Sequence, residues 1–344
     1  MTATQPYLLE DAKELVQREY YFKKLDRVRF HVKLQGQTLG NFVESLGLEK
    51  DKSYLFITNT ISSSIQLYKK IKDKFQEKVC YLSTHIVPYE RKRRIEEIKE
   101  GKYRIAVTTQ LVEAGVDIDF DVVYRDFAPM DSLSQSAGRC NRNMEKGKGE
   151  FFLINLVNEE GRPYHNFIYD PVLTFTTQEI LKGKDILSEQ EFTALVEDYF
   201  KEVWKKISPD TSRKIEEAVK GFMFNKGEEN NDKCYISDFR LIEDKVYKED
   251  VFVELNEHAR EVWQRAKGII KSLRKKEIDL FKAKEEFEKL KPEFYNFVVS
   301  VSVKKEPPSD DDLKIYHVDK DMLGDYYDPE TGFIVEEESF YSWI

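Results

Sequence analysis

Over residues 51–158 short apolar runs alternate with amphipathic stretches. SYLFIT at 53–58 reads as a buried strand. Over 62–77, Ile65, Tyr68, Ile71 and Phe75 recur at helical spacing. KVCYLST (78–84) predicts a second strand, and Pro88 suits the first turn of a helix, where its missing N–H costs nothing. That helix runs to about Glu100, with Gly101 placed as a C-terminal cap. Strands are expected at 103–109 and 121–127, a helix over 131–141 and a strand at 149–157. Residues 26–34 alternate weakly and read as a strand leading into the sheet. Strand–helix alternation with short connections predicts βαβ units: an α/β fold with helices on both faces of a parallel sheet. Such sheets place their functional loops at the carboxyl ends of the strands.

After residue 160 the pattern changes. Phe192, Leu195, Val196, Tyr199, Phe200, Val203, Trp204 and Ile207 trace one helical stripe, with Ser188 and Glu191 spaced as a capping box. Further helices are expected at 212–224, 254–276 and 278–291, and a strand at 296–303. KEPPSDDD (305–312) reads as a polar linker, and the aromatic-rich end reads as a segment that docks. The expected division is 1–50 lead-in, 51–158 α/β domain, 159–304 mainly helical domain, and 305–344 linker and C-terminal segment. Residues 160–185 give no clear pattern.

The balance of 55 Lys+Arg against 64 Asp+Glu gives a net charge of −9. That argues against a generally basic nucleic-acid coat but leaves room for a local basic groove. Cys80, Cys140 and Cys234 are far apart and odd in number, so neither a disulfide framework nor a zinc cage is expected. No run approaches the ~18 apolar residues of a membrane helix, and the N-terminus lacks a signal pattern. A cytoplasmic protein is the default expectation.

Three strings could carry chemistry. In QSAGRCNR, a continuous helix would put Gln135, Arg139 and Arg142 on one face, and Gly138 would admit another backbone. Two guanidinium groups on one face suit a nucleotide γ-phosphate, because Arg forks match phosphate oxygens. The plainer reading is a solvated helix face. In VTTQLVEAGVDIDF, Thr108 and Thr109 end a strand where hydroxyls and N–H groups can hold a nucleic-acid phosphate. Gly115 and Asp117 would allow close approach of a ligand, or the string is an ordinary strand–turn–strand. In YLSTH, a hydroxyl–His loop (Ser83, Thr84, His85) precedes a helix whose Arg91, Arg93 and Arg94 could favour phosphate. Alternatively those arginines pair with Glu90, Glu96, Glu97 and Glu100 at helical spacing.

These strings, preceded by Phe56-Ile-Thr58-Asn59-Thr60, fall in the order of motifs IV, IVa, V and VI of superfamily 2 helicases. The stretch from YLSTHIVPYERKRR to QSAGRCNR resembles the CRISPR-associated helicase, the helicase–nuclease of type I CRISPR–Cas systems, specifically its second RecA-like domain. The resemblance covers about residues 20–160 and reaches more weakly to EFYNFVVSVS and YYDPETGF. It implies that Arg142 is an arginine finger, that Arg139 is a second γ-phosphate contact, and that Gln135 orients the nucleotide. Glu113, Gly115 and Asp117 would meet the nucleotide side of the cleft. Thr58, Asn59, Thr60, Ser83, Thr84, His85, Arg91, Thr108 and Thr109 would contact single-stranded DNA. The family uses ATP and Mg²⁺, moves on single-stranded DNA in antiviral defence, and meets a target-bound RNA-guided surveillance complex.

The 344 residues contain no G-x-x-x-x-G-K-[ST] phosphate loop and no HD-type nuclease cluster. The expectation is therefore a motor half whose first RecA-like domain, with the groups that hold ATP phosphates and Mg²⁺, comes from another chain or segment. No metal ligand is expected here, and the chain alone should hydrolyse ATP negligibly. The alternatives are a RecA-like binding module without catalysis, or half of an RNA helicase or repair translocase. A basic helix around Trp263, with Arg265, Lys267, Lys271, Arg274, Lys275 and Lys276, could track DNA or be a solvated face.

Overall fold

A computed structural model describes residues 26–144, 147–206, 210–225, 234–239, 248–302 and 305–335. The expected lead-in before residue 26, the last stripe residue Ile207, Val303 and the chain end after 335 lie outside them.

The apolar runs form a seven-stranded sheet. In chain order its strands are β1 (Val28–Thr38), β2 (Tyr54–Ile57), β3 (Val79–Leu82), β4 (Ile105–Thr108), β5 (Val122–Asp126), β6 (Gly149–Val157) and β7 (Ile186–Ser188). Their spatial order is β3-β4-β2-β5-β6-β1-β7. All neighbours are parallel except β7, which runs antiparallel to β1 at the edge. Every residue of β2, β3 and β4 is buried, as expected for strands covered on both faces.

Helices α1 (Leu39–Ser45), α2 (Ile61–Phe75), α3 (Pro88–Lys99) and α4 (Met130–Ala137) connect the strands. Pro88 begins α3 as predicted. One face of the sheet packs Tyr54, Phe56, Leu67, Tyr68 and Ile71 together. The other packs Val123, Leu133 and Phe151 against Phe192, Val196 and Tyr199.

Three differences from the sequence reading matter. The sheet takes in residues 28–38 and 186–188, so it reaches beyond 51–158. The uninterpreted stretch contains α5 (Pro171–Leu181), N-capped by Asp170, and α6 (Glu189–Lys206) follows with the expected Ser188–Glu191 capping box. The helix expected over 131–141 ends at Ala137. Cys140 forms an isolated parallel bridge with Phe120, and Asn141 takes a positive φ of 45°. Backbone bonding to a neighbouring strand is incompatible with another helical turn.

Beyond α7 (Asp210–Lys220), strand β8 (Glu249–Val253) opens a second sheet with β9 (Val298–Val301), β10 (Ser309–Asp310) and β11 (Ile315–Val318), in the order β10-β11-β8-β9. Helices α8 (Glu257–Arg274) and α9 (Leu280–Phe294) bury Val262, Trp263 and Phe294 against Phe252. The expected linker at 305–312 is therefore partly a strand. Asp310 also accepts from Lys267 at 2.5 Å, so its acidic residues answer the charge of α8.

The last described element is a hairpin of β12 (Tyr327–Asp328) and β13 (Gly332–Phe333). It docks on the first sheet's domain, as expected of this segment, although its extreme end is outside the described residues. Val87, at the start of α3, shares a core with Val251, Val299, Tyr327 and Phe333, and so joins the two sheets.

Candidate functional site

The carboxyl ends of β2, β4 and β5 meet in a buried polar network. Arg125 sits in β5 with 0% exposure. Its guanidinium donates to Asn59 Oδ1 at 2.7 Å, Ser132 Oγ at 3.0 Å, Tyr169 OH at 2.8 Å and Ser136 Oγ at 3.2 Å. It also pairs with Glu113 Oε1 at 2.9 Å. Asn59 donates onward to Asp126 Oδ2 and the Phe127 carbonyl, both at 2.7 Å. Burial pushes the Asp126 carboxyl up to about 7, against three hydrogen bonds and the nearby Arg125, which favour its charge. A buried charge persists when its hydrogen bonds are complete, and here the partners come from the loops after β2 and β4, from α4 and from the stretch before α5.

Most of the residues expected to touch DNA are used inside the fold. Thr60 caps α2, its Oγ1 accepting from Ser63 N at 3.0 Å. Thr58, Asn59, Thr60, Ser83, His85, Thr108 and Thr109 are buried, Arg91 is half-buried, and Thr84 is exposed. Sequence spacing cannot distinguish a hydroxyl that caps a helix from one that faces a ligand.

The hydroxyl–His loop lies under the C-terminal hairpin. Phe333 N donates to the His85 carbonyl at 2.8 Å, and His85 Nδ1 donates to the Phe333 carbonyl at 3.2 Å. Burial lowers the His85 pKa to about 4, although the Phe333 carbonyl opposes the shift. Arg94 donates to the Tyr81, Glu330 and Pro329 carbonyls and to Glu90. Arg93 pairs with Glu90 and Glu97. Arg93 pairs along the helix, whereas Arg94 has one partner on the helix and ties it to β3 and the hairpin.

The second string and the end of the first form an arginine loop. Because α4 stops at Ala137, Gln135, Arg139 and Arg142 do not share a helix face, which corrects the i, i+4, i+7 reading. Among the described residues no backbone beyond its own helix comes close to Gly138 either; a Cβ there would meet Gln135 O. Arg139 is buried, donating to the Val112 carbonyl at 2.7 Å and the Glu113 carbonyl at 2.8 Å. Arg142 remains half-exposed and pairs with Asp117 at 3.0 Å, itself 68% exposed. The Asp119 carboxylate accepts from Arg142 N and Asn143 N, pinning the turn. Arg139 is pushed down by burial and by the positive charge of Arg142, so the two arginines are electrostatic neighbours despite the broken helix. Gly115 is exposed at φ +71° with open space around it, so its conformation, not a close contact, requires glycine. A cavity of about 580 Å³ adjoins the loop and is lined in part by Lys52, Ser53, Arg104, Asp117, Asp119 and Asn141.

The basic helix is largely neutralised. Arg265 pairs with Glu293 at 2.7 Å, Lys267 with Asp310 and Asp312, and Arg274 with Asp312. Trp263 is buried and stacks on His317. Sequence reasoning missed Arg125 and Tyr169. The available signal was a charged residue inside the apolar run DVVYRDF.

A mostly parallel seven-stranded sheet covered by helices defines a mixed α/β domain. A family model described as CRISPR-associated nuclease/helicase Cas3, C-terminal, matches residues 50–145. The Cas3 nuclease/helicase of Methanothermobacter thermautotrophicus is 26% identical over 201 residues, 56% of this chain and 23% of that protein. That of Streptococcus thermophilus is 32% identical over 182 residues, 47% of this chain and 19% of that protein. The structure described as T. fusca Cas3-ATP shares the fold at a TM-score of 0.55 and 13% identity, covering 91% of this chain and 43% of that one. Residues 50–145 are thus similar to the C-terminal region of the CRISPR-associated helicase, as their motifs led us to expect. These matches span about a fifth of the two relatives' length.

Proposed function

We propose that this chain supplies the second RecA-like half of an ATP-dependent DNA motor. The observation that carries the reading is Arg142, held half-exposed on a pinned loop beside Asp117. Residues that could meet a nucleotide are therefore available on this side of the cleft. Bound ATP would supply the free energy of phosphoryl transfer, and Arg142 would face its terminal phosphate charge. Arg139 would shape the loop through the Val112 and Glu113 carbonyls rather than touch the nucleotide directly. A first RecA-like half, in another chain or segment, would hold the phosphates and Mg²⁺. Closure of the two halves around ATP would bring Arg142 into place, and reopening would let the grip on DNA shift. Contacts to single-stranded DNA would come from the strand-end loop tips, of which Thr84 is exposed. An RNA-guided surveillance complex and a nuclease-bearing half are the partners this reading names, in antiviral defence in the cytoplasm.

The test is ATP hydrolysis with oligothymidylate, comparing this chain, a candidate first-half chain and their mixture. Activity in the mixture alone is the expected result. A competent, bound partner that the chain fails to stimulate would favour a binding module instead. Replacing oligothymidylate by oligouridylate separates a DNA motor from an RNA motor.

A further inference from the structure

The buried network connects two places that the sequence strings leave separate. Glu113 faces both ways: its carbonyl holds Arg139 at 2.8 Å, and its carboxylate holds Arg125 at 2.9 Å. Arg125 in turn holds Asn59, in the loop after β2. Gln110 donates to the Asn59 carbonyl at 2.9 Å and to Tyr169 OH at 3.2 Å. Tyr169 comes from the stretch just before α5, outside the helicase-like strings, yet its hydroxyl completes the Arg125 shell at 2.8 Å.

We propose that Arg125 and Tyr169 are positioning residues that lock the arginine loop to the strand-end loops, so that DNA held at the latter is felt at the former. The physical case is that a fully buried guanidinium tolerates few arrangements of its partners. A shift of Asn59 must be matched by Arg125, then Glu113, then the carbonyl that holds Arg139. Energetic coupling needs such an element with discrete arrangements, and a buried ion-pair network provides one. The proposal rests on the motor reading for its DNA side, but the locking itself belongs to this chain.

Arg125→Met is expected to destabilise the whole domain, so Tyr169→Phe is the informative variant. It removes one hydroxyl and keeps the ring packed. In the chain alone, Tyr169→Phe should raise amide hydrogen exchange about tenfold in both 110–117 and 139–143. Exchange over 298–301, in the second sheet, should not change. A rise confined to the neighbourhood of 169, or no rise, overturns the locking. In the mixed motor, Tyr169→Phe should cut stimulation by oligothymidylate about fivefold more than it cuts basal turnover, within the usual range of coupling factors. Equal loss of basal and stimulated turnover, or unaltered stimulation, overturns the coupling. If the unmutated mixture shows no turnover, the motor reading fails, and the exchange measurement still decides the locking.

Discussion

The strand-end network and the arginine loop use similar side chains in opposite ways. Around Arg125 each donor has an acceptor inside the fold, and solvent reaches none of the guanidinium. Around Arg142 the partner is an exposed carboxylate, and the guanidinium stays open to solvent. Arg139 stands between them, buried but bound to carbonyls rather than to a charge. The difference teaches that an arginine in a helicase-like string need not be a ligand group. Its burial and its acceptors decide whether it builds the platform or stays open to solvent.

The largest effect should come from breaking the platform. Arg125→Met leaves Glu113 without its buried cation and should cost about 3–5 kcal/mol in urea unfolding. Next is the hairpin. A Cβ at Gly332 would lie 2.4 Å from the His85 carbonyl oxygen, at φ +90°. Gly332→Val should therefore undock the hairpin at a cost of about 2–3 kcal/mol, seen as faster proteolysis at 327–333.

Acid should loosen the same contact more gently. The neutral His85 ring is favoured in the fold, where its pKa is near 4 against 6.5 for the unperturbed group. The unfolded chain binds the extra proton between those values, so stability present above pH 6.5 is lost as pH falls towards 4. At pH 5.5 the loss should be about 1.4 kcal/mol, and His85→Gln should flatten that part of the pH profile. The smallest stability effect belongs to Arg142→Ala, within about 0.5 kcal/mol, because its ion pair is exposed and screened.

How much of this was legible depended on how local the determinants are. The strands of the first sheet could be read because uninterrupted apolar runs such as YLFI and IAVT admit few other roles. The α6 cap could be read because Ser188 and Glu191 are three residues apart. The early end of α4 could not, since it is imposed by Phe120 and by Asn141 donating to the Arg27 and Gly147 carbonyls. Nor could the neutralisation of α8, where Lys267 meets Asp310 across 43 residues of chain. At the candidate site the strings could be located along the chain, but where their hydroxyls point depends on burial. Asn59 looked like a DNA contact and is the acceptor for Arg125.

The most direct test sets Arg142→Ala beside Arg139→Ala in the mixed motor, reading ATP turnover and thermal unfolding together. The account predicts that Arg142→Ala loses turnover by about 10³-fold or more, as removal of an arginine finger does, with its melting temperature unchanged. Arg139→Ala should lower the melting temperature. Full turnover from a folded Arg142→Ala variant would contradict the assignment of Arg142 as the group that faces the nucleotide.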